Sequence, residues 1–457
     1  MRHLPSFTTK TRPIAYAAAA PALVLSQHLA VLLVFRFTGR ALIPDAGFWL
    51  LPLRRFALLP DLPAWLAALA FATSLLVAWT LAILSFRRAR WSGGGYPIAA
   101  LTIVPGVQVA AIAILALLPR FGTDEAADPV AGRDAAHIAQ GVLAGVGIIV
   151  AAVLVSAVTF GAYGWGLFVM TPFLVGITTG YLANRGKSLG SGNTTLVVLG
   201  AAALGTLALV MFALEGLMCI VLAAPLGGAV AVLGGAIGRS IARIGRTRDK
   251  PLMSLALLPA LFALEAAMPP AVPIDSSASI DIAAPPAAVW DAVTSDEAIE
   301  SGPGLVGATG LAYPIRGRLL GSGVGAIRLG DFSTGTARER VTEWRPERRL
   351  AFVVVRQPPA MEEMSPYRRV HAPHVNGYFD TGVTRFSLTP LRNGGTRLTI
   401  SGTHILRIDP ALYWEPIARF AIGRNVERVL RDIRDKAERQ RFRQGRLALA
   451  ARPPRTT

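Results

Sequence analysis

The sequence predicts a chain in two parts, a multi-span α-helical membrane bundle followed by a smaller α+β domain. Its 457 residues exceed the usual size of one domain. With 53% hydrophobic residues and a mean hydropathy of +0.48, the chain is too apolar for an ordinary water-soluble protein. Near residue 273 the composition changes from long uncharged runs to a sequence in which charged and apolar residues are interspersed. The first part therefore belongs in a membrane, and the second has the composition of a globular domain.

Uncharged runs of about 20 residues predict that residues 1–268 form a membrane domain with about eight transmembrane helices. A helix needs about 20 apolar residues to cross a hydrocarbon core about 30 Å thick. The runs are 14–35, 62–86, 97–119, 138–160, 165–183, 194–214, 217–238 and the shorter 252–268. Because the first run is too long for a signal-peptide core and lacks a convincing cleavage site, we expect it to be retained.

Pairs of glycines four residues apart occur within these runs, and they predict close contact between helix backbones. Examples are Gly176 with Gly180 and Gly234 with Gly238. A residue without a side chain lets two helices approach closely in lipid. The pairs favour a compact bundle.

The charge balance is basic in both parts. The chain has 46 Lys and Arg against 28 Asp and Glu, a net charge of +18. Such an excess is compatible with nucleic acid, an anionic lipid surface or topology signals between spans. We predict no nucleic-acid partner, because no recognised binding motif or aromatic stacking pattern accompanies the charge. The single cysteine, Cys219, excludes an intramolecular disulfide and a cysteine-rich metal site.

The distribution of basic residues between loops predicts the orientation of this multi-pass protein in the cell membrane. With eight spans, one set of alternate loops carries thirteen Lys and Arg and the other set, which includes the N-terminus, carries six. Cytoplasmic loops collect Lys and Arg, so the richer set belongs inside. Both termini, and with them the C-terminal domain, are then predicted to be extracytoplasmic.

The second part begins after a Pro-rich linker, 269–273, and its domain is predicted to span 274–440, with a basic tail at 441–457. Pro285-Pro286 opens a short helix, since proline is tolerated in the first turn. Asn393-Gly394-Gly395 is a hairpin signal between the last two strands. The predicted strands are 279–282, 324–332, 336–344, 350–356, 378–391 and 396–408, followed by a long amphipathic helix at about 410–442.

This order resembles a known superfamily. It is carried by the entry SIDIAAPPAAVWDAV, the middle GVGAIRLGDFSTGTARERVTEWRPERRLAF and the closing helix. Together they are similar to the START-related helix-grip superfamily (SRPBCC), labelled polyketide cyclase/dehydrase and lipid transport, over roughly 274–438. The resemblance implies a curved antiparallel sheet around a long C-terminal helix, enclosing an apolar cavity for a lipid, polyketide or other hydrophobic ligand. It implies no single reaction, because the fold hosts binders, cyclases and subunits without chemistry.

Strand parity predicts which residues line that cavity, because alternate side chains share a face. The predicted ligand contacts are Phe386, Leu388, Leu398 and Ile400 of the last two strands, with Ile422, Val426 and Val429 of the closing helix. The same parity aims Asp380 and His404 inward, and also Glu339 and Glu343 unless a bulge intervenes. Two acids and a histidine facing one cavity could carry out acid–base work. The alternative is that they are structural groups satisfied by arginines such as Arg316 or Arg328.

His371 and His374 invite a metal interpretation, but no metal site and no cofactor are predicted. Pro373 between them disfavours the helix on which that spacing is best presented, and no third histidine or cysteine lies close by in sequence. We expect a loop next to the cavity mouth.

Three functions remain open from the sequence. The first is a membrane-anchored binder of a hydrophobic small molecule or lipid. The second is an enzyme of the cyclase or dehydratase type that uses Glu339, Asp380 and His404. The third is a regulatory membrane protein whose domain holds no ligand. Nothing in the sequence sets an oligomeric state.

Overall fold

The structure, a computed structural model, describes most of the chain in two compact units that divide between residues 264 and 265. Each unit has its own buried core. The described residues are 10–37, 48–49, 64–103, 108–120, 129–186, 188–212, 214–244, 258–363 and 376–450.

The described part of the first unit is helical. Two π-helical segments, Leu154–Phe160 and Gly166–Met170, interrupt the α-helices. The α-helices are α1 (Pro13–Phe37), α2 (Ala64–Ser92), α3 (Tyr96–Leu101), α4 (Gln108–Leu117), α5 (Pro129–Val153), α6 (Thr171–Ala183), α7 (Ser191–Met211), α8 (Leu217–Ile244) and α9 (Leu258–Ala267).

Five helical stretches of the described residues are long and apolar enough to cross a membrane. They are Pro13–Leu33, His137–Phe160, Gly166–Ala183, Ser191–Met211 and Leu217–Ile244. Each falls on one of the predicted runs. The run 97–119 is not one continuous helix, because α3 ends at Leu101 and residues 102 and 103 form a turn. The total of eight spans stays a prediction.

The glycine pairs of α6 and α8 lie where these two helices touch. A Cβ on Gly176 would lie 2.0 Å from the carbonyl oxygen of Ala231, and one on Gly234 would lie 2.2 Å from that of Phe173. No side chain fits at such distances, so the backbones are in direct contact. The close approach predicted from the glycine spacing is confirmed for this helix pair.

The second unit is an antiparallel sheet with a long C-terminal helix, as predicted, and the sheet has seven strands, one more than the sequence indicated. The strand order is β1-β7-β6-β5-β4-β3-β2. The elements are β1 (Val272–Ile282), α10 (Pro286–Thr294), α11 (Gly304–Ala308), β2 (Pro314–Leu320), β3 (Ile327–Phe332), β4 (Gly335–Arg345), β5 (Arg349–Arg356), β6 (Phe379–Pro390), β7 (Thr396–Leu406) and α12 (Ala411–Ala450).

The first strand is longer than predicted. It begins at Val272, inside the predicted linker, and not at Ser279. Pro273 is tolerated because β1 is an edge strand, where a residue without an N–H group does not interrupt the sheet. Ser276 is a polar residue at an inward position and weakens the apolar alternation, so the sequence pattern showed only the end of this strand.

The core of this unit lies between the sheet and the C-terminal half of α12. Leu430, Ile433 and Ala437 of the helix pack on a buried layer of sheet residues. The layer also holds the α10 side chains Val289 and Trp290, and the Trp290 ring meets Trp344 edge-on at 5.2 Å between centroids. The N-terminal half of α12 lies beside β1, where Arg419 donates to the Asp275 carbonyl.

We expect a fragment of residues 272–442 to fold without the preceding helices, because it contains the whole sheet, α10 and the part of α12 that closes the core. Circular dichroism and cooperative urea unfolding would measure this. A fragment ending before Ala411 lacks Leu430, Ile433 and Ala437 and should not fold. A disordered spectrum for the long fragment, or cooperative unfolding of the short one, would contradict the expectation.

Candidate functional site

A cleft lies between the edge strand β1 and the N-terminal half of α12. Its volume is about 200 Å³ and it opens to solvent on one side. Its lining combines apolar residues with two serines, an aspartate and an arginine. The lining residues are Ile274, Asp275, Ser276, Ser277, Ala278, Arg419, Ile422, Gly423 and Val426.

The local geometry of both elements produces this mixed lining. On β1, Ile274, Ser276 and Ala278 are two residues apart and face the same side of the strand. On α12, Ile422 and Val426 are four residues apart and share one face of the helix. Gly423 lies beside them, and a Cβ added there would meet no atom within 4 Å. The cleft therefore has apolar walls and free space at Gly423.

A polar cluster around His404 adjoins the cleft. The imidazole Nε2 lies 3.2 Å from Ser276 Oγ, and Nδ1 lies 3.2 Å from Thr381 Oγ1. The ring also stacks on Phe379, with 5.3 Å between centroids. Gly402 leaves room for this arrangement, because a Cβ there would come within 3.1 Å of Nε2. Ser276 thus connects the cleft wall to a half-buried histidine.

His404 is neutral near pH 7. Burial lowers its pKa to about 4, and Asp275 opposes the shift only in part. Neutral imidazole has one donor and one acceptor nitrogen. Because Ser276 donates its own proton to the Gly402 carbonyl at 3.3 Å, the network assigns the ring proton to Nε2 and has Thr381 donate to Nδ1.

Arg419 lies at the rim of the cleft and is held in place by two contacts. Its Nη2 pairs with Glu415 Oε1 at 2.7 Å, one turn earlier in α12. Its Nη1 donates to the Asp275 carbonyl at 3.1 Å. The guanidinium therefore ties the helix to β1 at the border of the cleft.

Glu339 faces the interior, as predicted, and forms an ion pair with Arg328. Only 3% of the residue is exposed. The Arg328 guanidinium donates to the Glu339 carboxylate and lies 4.6 Å from the centre of the Phe352 ring. Burial raises the pKa of Glu339, and the charge of Arg328 opposes that shift. The carboxylate is thus engaged by an arginine, as the structural alternative anticipated.

The inward placement predicted for Asp380 is wrong. The β6–β7 register shifts between Thr381 and Thr384, so Thr381 and not Asp380 shares the face of His404. Asp380 lies on the opposite face, where its Oδ2 accepts from Arg407 Nε at 3.0 Å. One extra residue in the strand reverses the parity on which the prediction rested.

A second bulge turns Glu343 away from the interior. The β4–β5 register shifts between Val341 and Glu343. Glu343 then pairs with three arginines, and its closest contacts are Arg345 at 3.1 Å and Arg349 at 3.3 Å. The bulge that the sequence analysis allowed for is therefore present, and Glu343 does not face the interior.

Glu339, Asp380 and His404 do not form one hydrogen-bonded group. Glu339 lies on β4 and His404 on β7, with β5 and β6 between them. At about 4.8 Å per strand spacing, this is roughly 14 Å along the sheet. Asp380 is on the other face, so the predicted candidates are dispersed.

The seven predicted ligand contacts divide between the cleft and the packed core. Ile422 and Val426 line the cleft. Val429 packs against the core of the domain, and the four strand residues belong to that core, namely Phe386, Leu388, Leu398 and Ile400.

The sequence reasoning missed Ser276, Thr381 and Gly423. Only the bulge places Thr381 beside His404, and a bulge leaves no clear mark in the sequence. Ser276 had an available signal, because it alternates with Ile274 and Ala278 just after the linker. His371 and His374 lie outside the described residues. Within the described part of the chain, no group of three or more His, Cys, Asp or Glu could hold a metal ion.

Comparisons with solved structures find similar chains that cover the C-terminal domain. One is the Zhui aromatase/cyclase from Streptomyces sp. R1128, with 15% identity over 37% of this chain and 96% of that chain and a TM-score of 0.26. Another is truncated norcoclaurine synthase from Thalictrum flavum, with 12% identity over 35% and 93% and a TM-score of 0.22. A third is a protein from Thermus thermophilus, with 17% identity over 36% and 99% and a TM-score of 0.24.

Comparison with curated proteins gives no match. A family model does match, over residues 273–438, and its description is polyketide cyclase / dehydrase and lipid transport. The matched residues run from the start of β1 through most of α12. The resemblance predicted from the sequence is therefore confirmed for the C-terminal domain, which is similar to this helix-grip family, whereas the helical unit before it lies outside the match.

Proposed function

We propose that the protein is a membrane-anchored binder of a hydrophobic small molecule or lipid, and that the ligand enters the cleft between β1 and α12. The observation that carries the proposal is the lining of the cleft, where aliphatic walls meet one half-buried polar cluster. Ligand sites commonly pair mostly apolar walls with a few placed polar groups.

The contacts favour a ligand with an apolar body and one uncharged oxygen-bearing group. Ile274, Ile422 and Val426 offer only apolar surface. Ser276 is the polar side chain on the inner wall of the cleft, Arg419 lies at the rim, and the neutral His404 behind Ser276 holds its hydroxyl in place. A hydroxyl of the ligand can donate to the remaining lone pair of Ser276 Oγ, and this hydrogen bond buries no charge.

The size of the cleft favours a small ligand or one end of a longer one. Pockets that enclose drug-sized molecules usually span about 300 to 1,000 Å³, and this cleft has about 200 Å³. Because it opens on one side, the rest of a longer molecule can extend outward. Each methylene buried between the walls contributes about 0.8 kcal/mol, so even a short alkyl segment gives useful affinity.

The helical unit supports membrane anchoring. Five stretches of the described residues meet the length and hydropathy of a membrane span. An apolar cleft on the same chain as a membrane anchor stays close to a reservoir of lipids and dissolved hydrophobic molecules. We propose the bilayer as the source or destination of the ligand.

The contacts give less support to an enzyme of the cyclase or dehydratase type. An efficient general base has a pKa near the working pH, but His404 titrates at about 4. Glu339 is paired with Arg328, and Asp380 lies on the other face. The polar cluster is better suited to orienting a ligand than to transferring protons.

We expect a photoreactive long-chain alcohol with a diazirine and an alkyne to label the cleft when it is added to membranes that contain the full chain. Peptide mapping by mass spectrometry should find the label on β1 residues 274–278 as well as on the helical unit. Gly423→Trp fills the free space beside Ile422 and should remove most of the β1 label. Leu412→Trp, at a position of the same helix that is 88% exposed, serves as the matched control.

Three outcomes of this experiment separate the proposals. Labelling of β1 that is lost with Gly423→Trp and kept with Leu412→Trp supports the cleft. Labelling of the helical unit alone contradicts ligand binding in the C-terminal domain. Recovery of a consumed or altered probe that depends on His404, tested with His404→Gln, would favour the enzyme.

We further propose that the C-terminal domain lies outside the cytoplasm, from the thirteen basic residues in one loop set against six in the other. Alkaline phosphatase fused after Thr457 should then be active, because it needs an oxidising compartment to form its disulfides. A fluorescent protein that matures only in the cytoplasm should stay dark at the same position. The reverse pattern would overturn this orientation.

A further inference from the structure

A group of arginines lies on the face of the sheet opposite α12, and we call it the arginine face. In the β2–β3–β4–β5 register, Arg318, Leu329, Arg338 and Arg356 are successive neighbours across four strands. Directly opposed residues point to the same side of a sheet. The arginine face consists of Arg316, Arg318, Arg338, Arg340 and Arg356.

Only two of these five arginines have an acidic partner among the described residues. Asp331 pairs with Arg316 at 2.8 Å and with Arg318 at 3.0 Å. Hydrogen bonds from Arg318 and then Arg316 lower the pKa of Asp331 to about 2, so it stays ionised.

The other three arginines are exposed, and the described residues provide none of them with an ion pair. Arg338 and Arg356 even face each other across two neighbouring strands. Like charges in that position destabilise a sheet. The five arginines and the single aspartate leave four positive charges on one small surface.

Exposed aliphatic side chains lie among these charges. Leu320 is 57% exposed, Val355 is 60% exposed, and Val324 in the β2–β3 turn is 69% exposed. Leu320 occupies the row of Ile327 and Arg340. The described residues of this face carry no aromatic side chain, which disfavours a single-stranded nucleic acid, because such ligands are held by base stacking.

We propose that the arginine face docks on anionic phospholipid headgroups, with its arginines on the phosphates and its aliphatic side chains in the interfacial zone. The positive charge of the arginines complements the negative charge of the phosphates, and the mixture of cationic and aliphatic side chains matches a membrane interface. The inference rests on the proposed membrane anchoring, which keeps a bilayer within reach of the domain. A basic residue near an anionic surface strengthens binding about fivefold, so three free arginines give on the order of a hundredfold.

A single label can test this docking in the full chain. Cys219→Ala removes the only cysteine, and Val355→Cys then carries a polarity-sensitive fluorophore. The chain is reconstituted in discs of phosphatidylcholine with or without phosphatidylglycerol. We expect severalfold less quenching by acrylamide and a blue-shifted emission in the anionic discs only. Arg338→Gln, Arg340→Gln and Arg356→Gln together should abolish the difference, and so should 1 M salt, where the Debye length is about 3 Å.

A charge-matched control variant replaces Arg392, Arg424 and Arg431 with glutamine, since these exposed arginines lie outside the arginine face. It should keep the shielding. A control label at Ala287→Cys, on the exposed side of α10, should respond equally to both lipid compositions.

Recovery of the chain outside the discs would overturn the membrane anchoring itself. Insertion into discs with equal quenching in both lipids would overturn only the docking. Shielding that requires added RNA or another protein, and not anionic lipid, would also overturn it.

Discussion

Replacing Glu339 alone by leucine is expected to destabilise the C-terminal domain by about 3 kcal/mol, because removing one partner of a buried ion pair leaves the other charge unpaired. Arg328 would keep its guanidinium on the Phe352 ring, 17% exposed and without its carboxylate. Urea unfolding of the 272–442 fragment at neutral pH would measure the loss. The expected loss is large because Arg328 would stay shielded from water without an anionic partner. The loss of the attraction between the two side chains would alone cost less.

The double variant Glu339→Leu, Arg328→Met is expected to recover most of that stability. Replacing a whole buried pair with apolar groups of similar volume is often neutral or stabilising. Burial raises the pKa of Glu339 in spite of Arg328, which means that ionised Glu339 is unfavourable in the folded domain. Asp281→Leu is the matched control, because it breaks an exposed pair with Arg397 and should change stability far less. A double variant as unstable as the single one would contradict this account.

The elements that the sequence predicts well are those in which local signals agree with the final packing. The Pro285-Pro286 start of α10, the Asn393-Gly394-Gly395 turn and the apolar face of α12 each follow from local rules, and all three are present. β2 was missed because its sequence, PIRGRLL, has Gly317 at the inward position between Ile315 and Leu319, which interrupts the apolar alternation, and because its outward positions hold Arg316 and Arg318. Those arginines instead lie near Asp331 on the neighbouring strand, a long-range pairing that no local pattern contains.

The site is less predictable than the fold, because its geometry depends on register. Parity placed Glu339 and His404 on the interior face, since no bulge separates either residue from the core positions used as reference. The same rule failed for Asp380 because a bulge lies between it and Phe386. Packing then decides which of the inward-facing residues a ligand can reach. Leu398 is a core residue with 0% exposure, whereas Ile422 reaches the cleft.

Lowering the pH from about 6.5 to 4 is expected to cost the domain stability through His404. In the unfolded chain this imidazole takes up a proton near pH 6.5, but burial lowers its folded pKa to about 4. The unfolded state therefore binds the proton first as the pH falls. The contribution of His404 is fully present above pH 6.5, declines as the pH falls below that value, and is lost by about pH 4. At 1.36 kcal/mol per pKa unit, the total is about 3 kcal/mol.

His404→Gln isolates this contribution from the carboxylates that titrate in the same range. Glutamine can still hydrogen-bond with Ser276 and Thr381, but it takes up no proton. The free energy of unfolding of the 272–442 fragment is measured from pH 7.5 to 4, with and without His404→Gln. Between pH 6 and 4.5 the free energy of the wild type should fall more steeply with falling pH, by the equivalent of up to one proton, because only the wild type has His404 to titrate. Parallel curves would mean that His404 titrates alike in the folded and unfolded chain. The imidazole would then be solvated, and the dry polar cluster beside the cleft, on which the choice of an uncharged ligand group depends, would not exist.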